Sequence, residues 1–478
     1  MSNSLSTPEE QQPLSKLDLK TKLAYGAGDL GTAVSANILA FYWSVFLTDV
    51  AGLSAGLAGS IRLISGIWDA ANDPFVGSLS DRTRSRWGRR HPWMLAGAIP
   101  LGFFFFLHWV VPHFSNDRNT NQWGLFWFNV VVSLFFNTAY TMVNLPYTAM
   151  TPELTEDYNE RTNLTSIRFQ FSIGGSILSL LLALVIFSVV KEPIQQYLLL
   201  GGVFGVFSVL PVIWCVWGTR DRMAIVEAKH LNTTSESISF GRQLKIVFSN
   251  VPFLYVIGIY LFSWSAVQIT ASIIPYFVVN WMGLPQAMSA QIALSVQGTA
   301  LLMLFVWSRL SERYGKKAVY FMGMSLWIIA QVGLFFLQPG QVGLMYVLGI
   351  MAGFGVSCAY LIPWSMMPDV IELDELQTGQ RREGIFYGFM VFVQKIGLAI
   401  ALFLVLKALD FAGYISSSGN SILHQPASAL LAIRLAIGPL PTVCLIFGLI
   451  LAYFYPITRE AHAETLLKLQ EKRREVRE

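Results

Sequence analysis

Charge is what this chain has least of. Only 13% of its 478 residues are Asp, Glu, Lys or Arg, while 54% are hydrophobic. A soluble domain is usually about a quarter charged, so a water-exposed fold of this length would have too few polar groups to cover itself. Cysteine is equally sparse. Cys215, Cys358 and Cys444 stand far apart in apolar stretches, which excludes a disulfide framework and a cysteine metal site. The six histidines show no metal-ligand spacing, and no nucleophile elbow, zinc-protease motif or phosphate loop occurs. An enzyme is therefore not expected, nor is a bound cofactor. Period-2 alternation is missing too, which removes a membrane β-barrel. Residues 1–24 lack the apolar core of a cleavable signal peptide, so the first apolar run is expected to serve as its own insertion signal.

Long apolar runs are abundant. About 20 such residues span a bilayer as a helix, and twelve runs of this kind are readable: 25–49, 57–79, 93–111, 125–150, 165–189, 196–217, 252–280, 287–309, 318–337, 342–367, 384–408 and 430–455. The expected fold is an all-α membrane protein of twelve transmembrane helices. Most basic residues fall in alternate loops: Lys16, Lys20 and Lys22, then Arg82 to Arg90, then Arg220 to Lys245, then Arg309 to Lys317, then Arg381 and Arg382, and finally Arg459 to Arg477. The positive-inside rule then places both termini in the cytoplasm, in a plasma or bacterial inner membrane. The formal net charge of +4 is absorbed by this topology, which leaves no case for nucleic-acid binding.

The two halves of the chain echo each other. Ser80-Asp81-Arg82 with Gly88-Arg89-Arg90 returns as Ser311-Glu312-Arg313 with Gly315-Lys316-Lys317. Leu145-Pro146-Tyr147-Thr148 with Pro152-Glu153 returns as Ile362-Pro363-Trp364-Ser365 with Pro368-Asp369. Two six-helix pseudo-repeat bundles are the plan of many secondary transporters, with the substrate site between them. The expected division is an N-terminal segment 1–24, a bundle 25–217, a central loop 218–251, a second bundle 252–456 and a basic tail 457–478. Asp81, Arg82, Arg89, Arg90, Glu312 and Arg313 are expected to close the cytoplasmic ends through charge pairs.

The second run contains Trp68-Asp69-Ala70-Ala71-Asn72-Asp73-Pro74. Asp69 and Asp73 lie one helical turn apart, with Asn72 beside them. A carboxylate in hydrocarbon is costly unless paired, protonated or bound to a cation, and oxygen-rich clusters suit hard cations. Na⁺, H⁺ or Li⁺ is the expected coupling ion; the alternative is permanent pairing with Arg62 or another buried base. Thr141 and Asn144 in the fourth run, Arg168 in the fifth and Lys395 in the eleventh are further polar groups at membrane depth. Asp29 sits among Gly26-x-Gly28-x-x-Gly31, which formally matches a dinucleotide fingerprint but lacks a βαβ setting and reads instead as a close helix-packing surface. Tyr42, Trp43, Trp264, Trp364 and Tyr387 are aromatic groups able to stack on a sugar.

These residues together resemble the glycoside–pentoside–hexuronide:cation symporters, the melibiose permease branch of the major facilitator superfamily. The resemblance rests on Trp68-Asp69-Ala70-x-Asn72-Asp73-Pro74 followed by Arg84-Ser85-Arg86-Trp87-Gly88, on Tyr25-Gly26-x-Gly28, and on Thr48-Asp49-Val50-x-Gly52-Leu53. Pro152-Glu153-Leu154-Thr155 and Arg382-Glu383-Gly384 leading to Lys395 complete it. It implies a cation site of Asp69, Asn72, Asp73 and Thr141, with Lys395 as coupling partner and Arg62 as a second candidate partner. It implies a substrate site around Arg168, Asn144, Thr148, Asp29 and Trp364. The family's galactoside-binding acids and tryptophan read here as Ala33, Asn144 and Thr148, so a neutral glycoside or an anionic hexuronide fits better than a melibiose-type galactoside. The expected activity is Na⁺- or H⁺-coupled sugar symport by a monomer in contact with membrane lipid. A same-fold symporter of lysolipid or another amphiphile, and a non-transporting sugar sensor, stand as alternatives.

Overall fold

The computed structural model describes residues 17–85, 87–155, 158–230, 240–380, 382–416 and 424–475, and among these every regular element is helical. In chain order the helices are α1 (Leu19–Val45), α2 (Ala55–Arg82), α3 (His91–Leu107), α4 (Arg118–Leu154), α5 (Tyr158–Val189), α6 (Pro193–His230), α7 (Phe240–Ser249), α8 (Val251–Tyr276), α9 (Gln286–Tyr314), α10 (Lys316–Phe336), α11 (Val342–Thr378), α12 (Glu383–Phe411), α13 (Ala427–Ile437), α14 (Pro439–Phe454) and α15 (Arg459–Glu475). Local chemistry starts several of them. Asp18, Ser54, Asp117 and Asn250 each accept a hydrogen bond from the backbone N–H three residues on, satisfying a donor that the first helical turn leaves open.

Among the described residues ten helical segments are long and apolar enough to cross a bilayer. Two of the twelve expected runs do not qualify on that measure. Arg62, Asp69, Asn72 and Asp73 dilute the apolarity of α2, and α3 has only 17 residues. The last run is one apolar segment but two helices, broken at Gly438 between Ile437 and Pro439. The amphipathic α7 and the tail helix α15 were not expected from the runs.

Helices α1 and α3 to α6 pack mainly on one another, as do α8 to α11, α13 and α14; α2 and α12 pack most extensively on each other, and with α5 against α9 and α1 against α8 they join the two sets. Helix α1 starts and α14 ends at one end of the molecule, here called the terminal end; the opposite end is called distal. Small residues set the α2–α12 distance. A Cβ on Gly66 would stand 2.4 Å from that of Ala399, and one on Gly59 3.0 Å from that of Leu406, so only glycine lets the two backbones lie this close. The Gly26-x-Gly28-x-x-Gly31 stretch works the same way: a Cβ on Gly28 would meet Tyr147 and Cys215, and one on Gly31 the Ser208 carbonyl.

Candidate ion and substrate site

The close α2–α12 contact carries Lys395 onto the acids of α2. Its Nζ donates to Asp69 Oδ1 at 3.0 Å and to Asp73 Oδ2 at 2.6 Å. The other oxygen of Asp73 accepts from Thr141 Oγ1 of α4 at 3.0 Å. Asn72 is buried alongside, and its Nδ2 finds no hydrogen-bond partner among the described residues. Asp69, Asp73, Thr141 and Lys395 are thus joined as one hydrogen-bonded group, with Asn72 next to Asp73 in the α2 sequence. Two carboxylates and one ammonium leave a single negative charge. The three charged side chains remain 19–23% exposed, so the surrounding helices do not enclose the group completely.

Arg62 is a correction. One face of α2 carries both Arg62 and Asp69 in projection, but the guanidinium turns to α1, donating to Leu39 O at 3.1 Å and Ser44 Oγ at 3.3 Å. It also lies 4.8 Å from the centre of the Trp43 ring. Backbone carbonyls and an indole face compensate the charge there, so Arg62 is a tie between α1 and α2 and not a partner of the acids.

The second intramembrane cation, Arg168 of α5, pairs with Asp29 of α1 at 3.2 Å and lies over the Tyr147 ring at 5.4 Å. Tyr147 in turn stacks on Tyr25 at 5.0 Å and donates to the Tyr25 carbonyl. Asp29 is therefore a direct partner of Arg168. Thr148 follows Tyr147 on α4 and Asn144 lies about one turn before it, both half-buried; Thr148 spends its hydroxyl on the Leu145 carbonyl. Trp364 belongs to a different group, stacked on Tyr387 at 5.7 Å and edge-on to Tyr260, with Trp264 and Tyr360 adjoining. The structure separates the expected substrate residues into a charged pair on the first set of helices and an aromatic group on the second.

The terminal end holds two ion clusters. Arg90 binds Asp81 at 2.6 Å and Glu153 at 2.8 Å, with Arg89 3.6 Å from Glu153. In the second half Lys316, not Glu312 or Arg313, is the counterpart: it binds Asp369 at 2.6 Å, and His462 of α15 adds contacts to Glu372 at 2.7 Å and Asp369 at 3.4 Å. Glu312, Arg313 and Arg82 are exposed, and the Arg313 carbonyl only accepts from Arg459. In this structure these pairs staple neighbouring helices of the same set. Lys316 and Asp369 were already visible as the second halves of the two sequence echoes; the tail residue His462 had no such signal.

The family model described as MFS/sugar transport protein matches residues 24–459. An uncharacterized symporter of Synechocystis sp., sll1374, is 50% identical, the alignment covering 95% of this chain and 97% of the relative. The sodium-dependent lysophosphatidylcholine symporter 1 of Gallus gallus is 27% identical over 98% of this chain and 92% of its own. Among solved structures the nucleoside transporter NupG superposes with a TM-score of 0.61 at 14% identity, covering 92% of this chain and 98% of the other; that likeness speaks for the fold. Helices of this length and polarity, a charged group buried at their centre, and a family match spanning almost the entire chain lead to one conclusion: the protein belongs to the MFS/sugar transport protein family of multi-pass membrane transporters.

Proposed function

We propose that the protein is a cation-coupled symporter whose ion site is Asp69, Asn72, Asp73 and Thr141, with Lys395 as the group the ion displaces. The observation that carries this reading is the sharing of one ammonium by two carboxylates across the α2–α12 contact. The residual negative charge is balanced by one monovalent cation, Na⁺, H⁺ or Li⁺. An ion that takes carboxylate oxygens from Lys395 also weakens a bond between the two sets of helices, so binding and rearrangement draw on the same contacts. Entry of one positive charge is worth about 2.3 kcal/mol per 100 mV of membrane potential, enough to drive accumulation.

Within the family the Trp68-to-Pro74 sequence supports placement among the glycoside–pentoside–hexuronide:cation symporters. On this reading α2 and α3 also span the membrane, giving twelve helices in two bundles (25–217 and 252–456), with the terminal end cytoplasmic. The solute is a sugar, glycoside or hexuronide held between the Asp29–Arg168 pair and the Trp364–Tyr387 group. A second reading, a lysolipid or similar amphiphile as solute, is favoured by the nearly full-length likeness to the lysophosphatidylcholine symporter.

Counterflow in proteoliposomes tests both, with labelled glycosides, a hexuronate and lysophosphatidylcholine, each with and without Na⁺ and at several pH values. Ion-stimulated exchange of a carbohydrate supports the first reading and of the lysolipid the second. Exchange of any solute that ignores every cation removes the ion site.

A further inference from the structure

Thr48-Asp49-Val50-x-Gly52-Leu53 has no part in the site described above, yet it ends at the most elaborate polar contact between the two sets of helices. At the distal end α1 passes into a π turn, Phe46–Val50, and α8 into another, Phe277–Trp281. Both close the same way. Ala51 N bonds Phe46 O and Leu53 N bonds Leu47 O; Met282 N bonds Phe277 O and Leu284 N bonds Val278 O. Each then reverses through a glycine with positive φ, Gly52 at 73° and Gly283 at 67°, a backbone state that side chains with a Cβ resist. Thr48-Asp49-Val50-Ala51-Gly52-Leu53 and Val279-Asn280-Trp281-Met282-Gly283-Leu284 are thus repeat mates, and π turns recur at functional positions in helices.

Asp49 and Asn280, at matching positions of the two turns, converge on one hydroxyl. Tyr414 Oη donates to Asp49 Oδ1 at 2.7 Å, lies 2.9 Å from Oδ2, and accepts from Asn280 Nδ2 at 3.2 Å. Tyr414 is delivered from the α12–α13 connection and is held firmly. Its N–H bonds Leu409 O, Gln425 bonds both the N–H and the carbonyl of Ile415, and Ser428 bonds Ala412 O. Around the hydroxyl, Thr48 pairs with Tyr276 at 2.9 Å and Ser272 with Ser44 at 3.1 Å, again between α1 and α8. The Tyr276 ring packs edge-on to Tyr414 at 5.5 Å.

We infer that Asp49, Asn280 and Tyr414 form the distal gate: a tyrosine hydroxyl clamped between two repeat-related π turns holds this end shut, and its release opens the distal face. The inference rests on the transporter reading. The division of labour between the mates explains their different chemistry, since a single O–H needs one acceptor and has room for one donor. A bond to a carboxylate is the stronger kind, so Asp49 carries most of the hold.

The test reads conformation and needs no solute. Ser272 is almost fully buried in the shut distal end. Ser272→Cys, in a background with Cys215, Cys358 and Cys444 replaced by alanine, is labelled by a bulky charged maleimide in nanodiscs, where both faces are accessible. Tyr414→Phe and Asp49→Asn are each expected to raise the labelling rate about tenfold, the first through the lost hydrogen bond and the second through the lost charge on its acceptor. The exchange Asp49→Asn with Asn280→Asp restores a carboxylate acceptor facing an amide donor and is expected to return the rate to within about threefold of the background. Unchanged labelling in Tyr414→Phe, which removes a single oxygen and keeps the ring, overturns the gate. So does a double exchange as fast as Asp49→Asn. A protein that moves no solute at all yet shows these rates would count against the transporter reading and leave the gate in place.

Discussion

Lys395 with its two aspartates and Arg90 with its two acids are built from nearly the same parts. Each is one cation shared by a pair of carboxylates within 3.0 Å. Their placement differs. Arg90, Asp81 and Glu153 all lie on the first set of helices, so rocking of one set against the other leaves them intact. Lys395 lies on α12 and its acids on α2, so any such motion strains or breaks them. The Arg90 side chain is also more enclosed, 10% exposed against 19% for Lys395. An ion pair inside one rigid body acts as a staple; the same pair across a moving boundary becomes a place where an ion can be exchanged for a side chain. Location relative to the boundary, more than residue type, assigns the role.

Variants sharpen this contrast. The largest effect is expected at the straddling cluster: Asp69→Asn and Asp73→Asn should each lower concentrative uptake by about a hundredfold or more, through loss of a ligand that acts as a unit with its neighbours, while solute exchange without a gradient persists. Full gradients in both variants would show that the crossing acids are mere staples. Next comes Arg90→Met. Asp81 is 62% exposed and Glu153 keeps Arg89 at 3.6 Å, so the loss is that of charged hydrogen bonds, about 1.5–3 kcal/mol, and a lower unfolding temperature in detergent is expected. Any activity that remains should keep its ion dependence unchanged; a changed ion dependence would erase the distinction between the two clusters. Lys316→Met should follow the same pattern at a similar size, about 1.5–3 kcal/mol, because Lys316 donates to both oxygens of Asp369, whose side chain is only 7% exposed. Smallest is Arg62→Lys, expected to cost roughly 0.5–1 kcal/mol through the lost stacking on Trp43, with ion coupling unaltered. A shift in ion affinity there would return Arg62 to the acids.

Helical character and most of the apolar spans were legible because hydrocarbon demands long apolar stretches with internally bonded backbones. The buried charge group was legible for a related reason. Two aspartates at one-turn spacing in such a stretch are conspicuous by cost, and the structure brings Thr141 and Lys395 to them as the resemblance implied. Arg62 misled because helical projection tells which face a side chain leaves from, and a long arginine can still turn to another helix; Leu39 and Ser44 are on α1, outside any pattern on α2. Glu312 and Arg313 misled because the echo spans several residues and the sequence does not say which member of Arg313, Lys316 and Lys317 reaches Asp369. The Asp49–Asn280 mates went unpaired because their identities differ and only matching π turns reveal the correspondence.

Composition alone therefore decided that this chain lives in a bilayer as a bundle of helices, and the run 68–74 alone decided where charge would be buried within it. Pairwise partnership was decided by tertiary structure: that Lys395 and not Arg62 meets the acids, that Asp29 meets Arg168, that Tyr414 joins Asp49 to Asn280. The reason is physical. Burial cost is a property of each residue and its immediate neighbours in sequence, whereas an ion pair or hydrogen bond between helices depends on crossing distances set elsewhere, here by glycines such as Gly59 and Gly66 that bring α12 against α2.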